Sequence, residues 1–147
     1  MPGIYSVLND GNLVVEYWAG QVSSDEIIEH EIEHTSDPSI KNQSVCLVDG
    51  RNAAFDLTRE QIQQMADFSN MAPYGQRHTK VAIVCSDSTA YRQSQLYELS
   101  MCKQGVSLIT FTNMAVACAW LNVDLTLVEC AVDQLKNNLL DQKVPAA

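Results

Sequence analysis

The chain has 147 residues, 46% of them apolar, and its eighteen acidic against nine basic side chains give a formal net charge of −9. That length suffices for one well-buried core, while the negative field repels phosphate backbones and anionic bilayers and so argues against nucleic acid and membranes as partners. No Pro/Gly/Ser-rich linker, internal repeat, basic-plus-apolar leader or apolar run near the roughly 18 residues of a membrane span is apparent, so the expectation is one cytoplasmic domain over residues 1–147.

The first signal along the chain is "GIYSVLNDG", whose Asn-Asp-Gly ending marks a hairpin turn, so Ile4 to Leu8 is expected to pair with Leu13 to Trp18 of "NLVVEYWAG". Ser23-Ser24-Asp25-Glu26 then fits a capping box, in which hydroxyl and carboxylate satisfy each other's backbone N–H groups, and a helix is predicted from about residue 24. This helix carries His30-Glu31-Ile32-Glu33-His34, a literal match to H-E-x-x-H, the helical zinc-peptidase signature. In such an enzyme both imidazoles share the buried face and bind one ion while the Glu orients its water. With Ile28 and Ile32 taken as the inward direction, steps of about 100° per residue turn His30 and His34 toward solvent. The residue six after His34, where a third ligand stands in the familiar compact spacing, is Ile40, and the remaining histidine, His78, lies in the polar "YGQRHTK". The expectation is therefore a solvated helix face with no metal and no cofactor. The alternatives are adventitious metal binding by a surface i, i+4 pair and a metal-dependent hydrolase.

"SVCLVDG" reads as the third strand, and Thr58-Arg59-Glu60-Gln61 as a second capping box opening a helix near 59. "KVAIVCSD" and "VSLITFTN" supply two more strands, with helices from about 89 to 102 through Leu96 and Leu99, and from about 114 to 121 through Val116, Ala117, Trp120 and Leu121. From Asp124 to Gln142, Leu125, Val128, Val132, Leu135 and Leu139 recur at spacings of three and four, an apolar stripe that either lies on the domain's own sheet or forms a homodimer seam. The five cysteines, 46, 85, 102, 118 and 130, form no C-x-x-C pair and are read as reduced thiols, with Cys46 and Cys85 buried in strands.

A hairpin followed by three strand-helix-strand units makes the class α/β with a mainly parallel sheet, since crossovers of this length return each strand beside its predecessor. Open parallel sheets bind ligands beyond the carboxyl ends of their strands. That rule selects "DGRNAAFDLT", "SDSTAYRQ" and "TN", and gathers Asp49, Arg51, Asp56, Thr58, Ser86, Asp87, Tyr91 and Arg92 as candidate partner- or ligand-binding residues. Each has a structural reading beside the functional one, because Asp, Ser and Thr at strand ends form turns and caps. No serine-histidine-acid set, phosphate-cradling Gly-rich loop or Cys-His pair is present as a local motif, and a non-enzymatic module is expected.

"LVDGRNAAFDLTREQIQQM", "KVAIVCSD", "YRQSQLYEL" and "FTNMAVACAWL", in this order of strands and helices, resemble the SpoIIAA-like group of STAS and CRAL-TRIO domains, and in particular small bacterial STAS-like proteins. The resemblance covers residues 4 to about 122. It implies a singly wound βα superhelix with helices mainly on one face, leaving the other to the C-terminal helix, a partner chain or an apolar ligand. In anti-sigma antagonists a serine at the start of the helix after the third strand is phosphorylated, adding about two negative charges. Thr58 falls at that place, but Arg59 and Glu60 stand where that group has small residues. The resemblance thus implies a regulatory module acting through protein contacts, with a carrier of a small apolar ligand or lipid as the alternative.

Overall fold

The computed structural model describes residues 3–55, 57–69, 78–86, 88–101 and 106–143. Five strands, β1 (Gly3–Leu8), β2 (Leu13–Val22), β3 (Ser44–Phe55), β4 (His78–Val84) and β5 (Ser107–Phe111), form one sheet in sequential order. β1 runs antiparallel to β2, and every other neighbour pair is parallel. The connections are α1 (Ser24–Thr35), α2 (Arg59–Ser69) and α3 (Ser88–Met101), followed after β5 by α4 (Met114–Leu121) and α5 (Leu125–Lys143). The α/β class, the opening hairpin and the extra C-terminal helix are as the sequence implies.

The hairpin turns through a short 3-10 segment in which Asn9, Asp10 and Gly11 all take positive φ, the region that Asn, Asp and Gly tolerate best. On β2, Leu13, Val15 and Tyr17 alternate with Val14, Glu16 and Trp18, and all six are buried. A strand buried on both faces needs a layer on each side. On one face α4 and α5 place Ala117, Cys118, Val128, Val132 and Leu135 against Leu13, Val15, Leu47 and Val84. On the other, α1, α2 and α3 stand side by side over Val14, Cys46 and Leu108.

One expectation changes here. β3 does not end at Asp49-Gly50: it continues to Phe55, pairing with Ala19–Val22 of β2 beyond a bulge between Tyr17 and Ala19. Asp49 and Arg51 therefore stand within a strand rather than in a rim loop. The stripe on α5 has one use within the chain, since Val128, Val132, Leu135 and Leu139 are buried on its own sheet. A dimer through this helix would have to use its outer side, where Leu140 is exposed. Among the described residues, no single helix is long and apolar enough to cross a membrane.

Candidate functional site

The capping box that starts α1 forms as read, with Ser23 Oγ accepting from Glu26 N–H and the Glu26 carboxylate from Ser23 N–H. The inward face of the helix is not the expected one. Ile27, His30, Glu31 and His34 follow the i, i+3, i+4, i+7 pattern of a buried stripe; His30 and His34 are each 2% exposed, and Ile32 is 43% exposed. The expectation that the histidines face solvent is overturned, and surface metal capture by an exposed pair goes with it. The reason lies on β2: Glu16 is 5% exposed and points to the same layer, so the helix turns toward the sheet the groups that can pair with a buried carboxylate.

Four groups surround that carboxylate. Glu16 Oε1 accepts a hydrogen bond from Trp18 Nε1 at 3.2 Å and lies 2.8 Å from His30 Nε2. Oε2 accepts from Cys46 Sγ at 3.1 Å and lies 3.5 Å from His34 Nδ1. The far edge of His34 places Nε2 2.7 Å from His78 Nε2, and His78 Nδ1 is 2.8 Å from Ser44 Oγ. His78, expected in a polar stretch ahead of a strand, is thus the first residue of β4 and part of the cluster. Tyr5 and Trp18 pack their rings on His30, at centroid distances of 5.4 and 4.7 Å.

Burial alone would raise the Glu16 carboxyl pKa. The charge and contact of His30, then His34 and the Cys46 thiol, outweigh it and hold Glu16 below the usual carboxylate range. For His30, burial works downward, and the Glu16 charge reverses it to a net rise above the ordinary 6.5. Burial and then the Glu16 charge push the Cys46 thiol well up, leaving it a neutral donor. Half-buried Glu31 is raised to about 7 by burial and by Glu16, with His30 working in the opposite direction.

Beside this cluster, between the sheet and α1–α3, lies a cavity of about 160 Å³. Trp18, Val48, Phe55, Met65, Ile83 and Leu108 make most of its wall apolar, and Glu16, Glu31, His78 and Gln93 supply polar margins. Gln93 Nε2 donates to the Leu57 carbonyl at 3.1 Å, while its buried Oε1 accepts no hydrogen bond among the described residues. Compared with solved structures, the chain is similar to an uncharacterized protein of the DUF3478 family with a SpoIIAA-like fold from Shewanella loihica PV-4, at a TM-score of 0.54 and 12% identity, over 81% of this chain and 93% of that one. The fold is SpoIIAA-like. No protein-family model and no curated protein sequence matches the chain.

Within this SpoIIAA-like frame, six of the eight residues selected from the strand-end rule are described, and Asp49, Arg51 and Ser86 are joined by hydrogen bonds. Asp49 is fully buried, and its carboxylate accepts from Arg51 N–H, Nε and Nη2 at 3.1, 2.9 and 3.0 Å. Ser86 Oγ donates to the Arg51 carbonyl at 2.8 Å, tying the end of β4 to β3. Thr58 caps α2 as read, its Oγ1 accepting from Gln61 N–H at 3.1 Å and its own N–H donating to Gln61 Oε1 at 2.9 Å. Tyr91 and Arg92 lie on the first turns of α3, half-buried and exposed respectively. Asp56, Asp87 and Cys102 lie outside the described residues. The residues that the fold does bring together, Glu16, His30, His34 and His78, were missed as a group. The signal for them was present in "LVVEYW", where an acid stands on the same strand face as Val14 and Trp18 and a buried acid calls for cationic or donor partners.

Proposed function

We propose that this chain is a non-enzymatic binding module that takes up a small, mainly apolar molecule with a hydrogen-bond-donating head. The observation that carries this reading is the cavity under α1–α3, with apolar walls and, at its margin, a Gln93 Oε1 that accepts no hydrogen bond among the described residues. Its volume of about 160 Å³ is close to that of engineered apolar cavities of about 150 Å³ that admit benzene. A ring-sized molecule or short chain is therefore the right scale, and a full-length lipid is too large. The ligand lies against α1–α3 in this reading, not under the C-terminal helix, whose contact with the sheet is filled by side chains. A module acting through protein contacts at the strand ends has less support, because Asp49, Thr58 and Ser86 are engaged in hydrogen bonds within the chain.

The test is thermal unfolding against a panel of phenols, short alcohols and short amines, with native mass spectrometry of the purified protein. A ligand at a hundredfold excess over its Kd stabilises by about 2.7 kcal/mol, which raises the midpoint by several degrees. Ala90→Phe, which projects a ring into the cavity from α3, should keep the circular dichroism spectrum and abolish that gain. A panel without any shift, or a shift that survives Ala90→Phe, would reject the assignment.

A further inference from the structure

We propose that Glu16, His30 and His34 form a binding site for one Zn²⁺ ion. This inference stands whether or not the cavity takes an apolar ligand. The donor set decides the metal class: two imidazole nitrogens and one carboxylate suit zinc, and leave its fourth position to water or a ligand, whereas calcium and magnesium favour oxygen throughout. His30 and His34 are one helical turn apart on the rigid, capped α1, and Glu16 comes from a central strand, so the three donors are set by regular elements rather than loops.

The distances agree with a shared ion. Metal–ligand lengths of about 2.0 to 2.2 Å at tetrahedral angles separate ligand atoms by about 3.3 Å. Here His30 Nε2 and Glu16 Oε1 are 2.8 Å apart, His34 Nδ1 and Glu16 Oε2 are 3.5 Å apart, and one donor atom from each of the three residues lies within 4.8 Å of the others. The His30–Glu16 contact is short although the ring N–H does not lie along it, so Nε2 makes no hydrogen bond there. A hydrogen-bonded ion pair requires that alignment, and two ligands of one ion do not.

The surrounding groups supply the outer support that zinc ligands ordinarily have. If His34 Nδ1 gives its lone pair to the ion, the ring proton sits on Nε2, which then donates to His78 Nε2. The His78 proton is thereby placed on Nδ1, facing Ser44 Oγ. Trp18 Nε1–H and Cys46 Sγ–H donate to the two oxygens of Glu16 and hold the carboxylate in orientation. Glu16 and Glu31 also line the cavity, so the carboxylate of the cluster borders that space.

The experiment is to strip the purified chain with a chelator, dialyse it, and titrate Zn²⁺ against a chromophoric competitor, with zinc content after gel filtration as a second readout. The expected result is one retained zinc per chain, lost in Glu16→Gln and in His30→Gln/His34→Gln, and weakened about 10- to 100-fold in His78→Gln. Because the first two variants alter buried groups, wild-type protein loaded with Co²⁺ gives an independent reading. A four-coordinate N/O site produces intense visible bands without a thiolate charge-transfer band. Failure of the wild type to retain zinc against the competitor, unchanged zinc in the double histidine variant, a weak octahedral cobalt spectrum, or a thiolate band would each overturn the proposal.

Discussion

Glu16 is the residue on which the interior of this protein turns. A carboxylate at 5% exposure is tolerable only because two imidazoles, a thiol and an indole N–H meet it. In metal-free protein three of the shifted groups, Glu16, His30 and Glu31, give a pH dependence with a definite sign. Glu16, depressed below its ordinary 4.5, contributes stability that is present above 4.5 and lost as pH falls through its folded pKa. His30, raised above 6.5, contributes stability that is full below 6.5 and lost as pH rises through its folded pKa. Glu31 binds its proton more tightly folded than unfolded, so it costs stability progressively as pH rises from 4.5 to about 7. Glu31→Gln is therefore expected to gain on the wild type across that window, with a slope of at most about 1.4 kcal/mol per pH unit, then level off. Urea unfolding in chelator at a series of pH values measures the difference, and a flat difference would contradict the assignment. Gly3 makes a second prediction at this scale. A Cβ there would stand 2.6 Å from the Trp18 ring, so Gly3→Ala should destabilise by about 1 to 3 kcal/mol, read as a lower urea midpoint.

Among the elements, α1 and α5 show opposite relations between pattern and burial. α5 is a conventional case: its stripe of Val128, Val132, Leu135 and Leu139 was legible in the sequence and is the surface it buries. Leu135→Ala should accordingly cost about 2 to 5 kcal/mol, and a loss under 1 kcal/mol in urea unfolding would mean that α5 is not docked as described. In α1 the apolar residues misled, because Ile28 and Ile32 look like the buried pair while the sheet offers a carboxylate instead of a hydrocarbon surface. Its start was nevertheless readable, and Ser23→Ala should remove about 1 kcal/mol through loss of the cap, seen as reduced thermal stability with an unchanged cobalt spectrum.

For the whole molecule, the two-sided covering of the sheet sets what solvent can reach. Cys46, Cys85 and Cys118 are buried in the two layers, and Cys130 lies on the outer side of α5. Of these four thiols, Cys130 should react with a chromogenic disulfide reagent at the rate of a free thiol, and the other three only as fast as the protein opens. Rapid modification of Cys46 in the native state would show that the layer of α1–α3 is not closed over the sheet. The same layering accounts for where the cavity lies. Three helices joined by separate crossovers cover one face and leave a gap near the acid, whereas α4 and α5 fill the other face with interlocking side chains.

The element order, the parallel sheet with its opening hairpin, the two capping boxes and the α5 stripe could all be read from the sequence, because each is a local pattern with a local cause. The extension of β3 past Asp49-Gly50 could not, since it depends on β2 continuing alongside it to Val22. The cluster of Glu16, His30, His34 and His78 was likewise invisible as a unit. Its members come from β2, α1 and β4, and which side of α1 faces inward was decided by a partner on another strand, not by the helix's own periodicity. Sequence thus determined the elements and their order; tertiary structure decided which polar groups are enclosed together, because pairing a buried charge is a long-range condition that no single segment can satisfy.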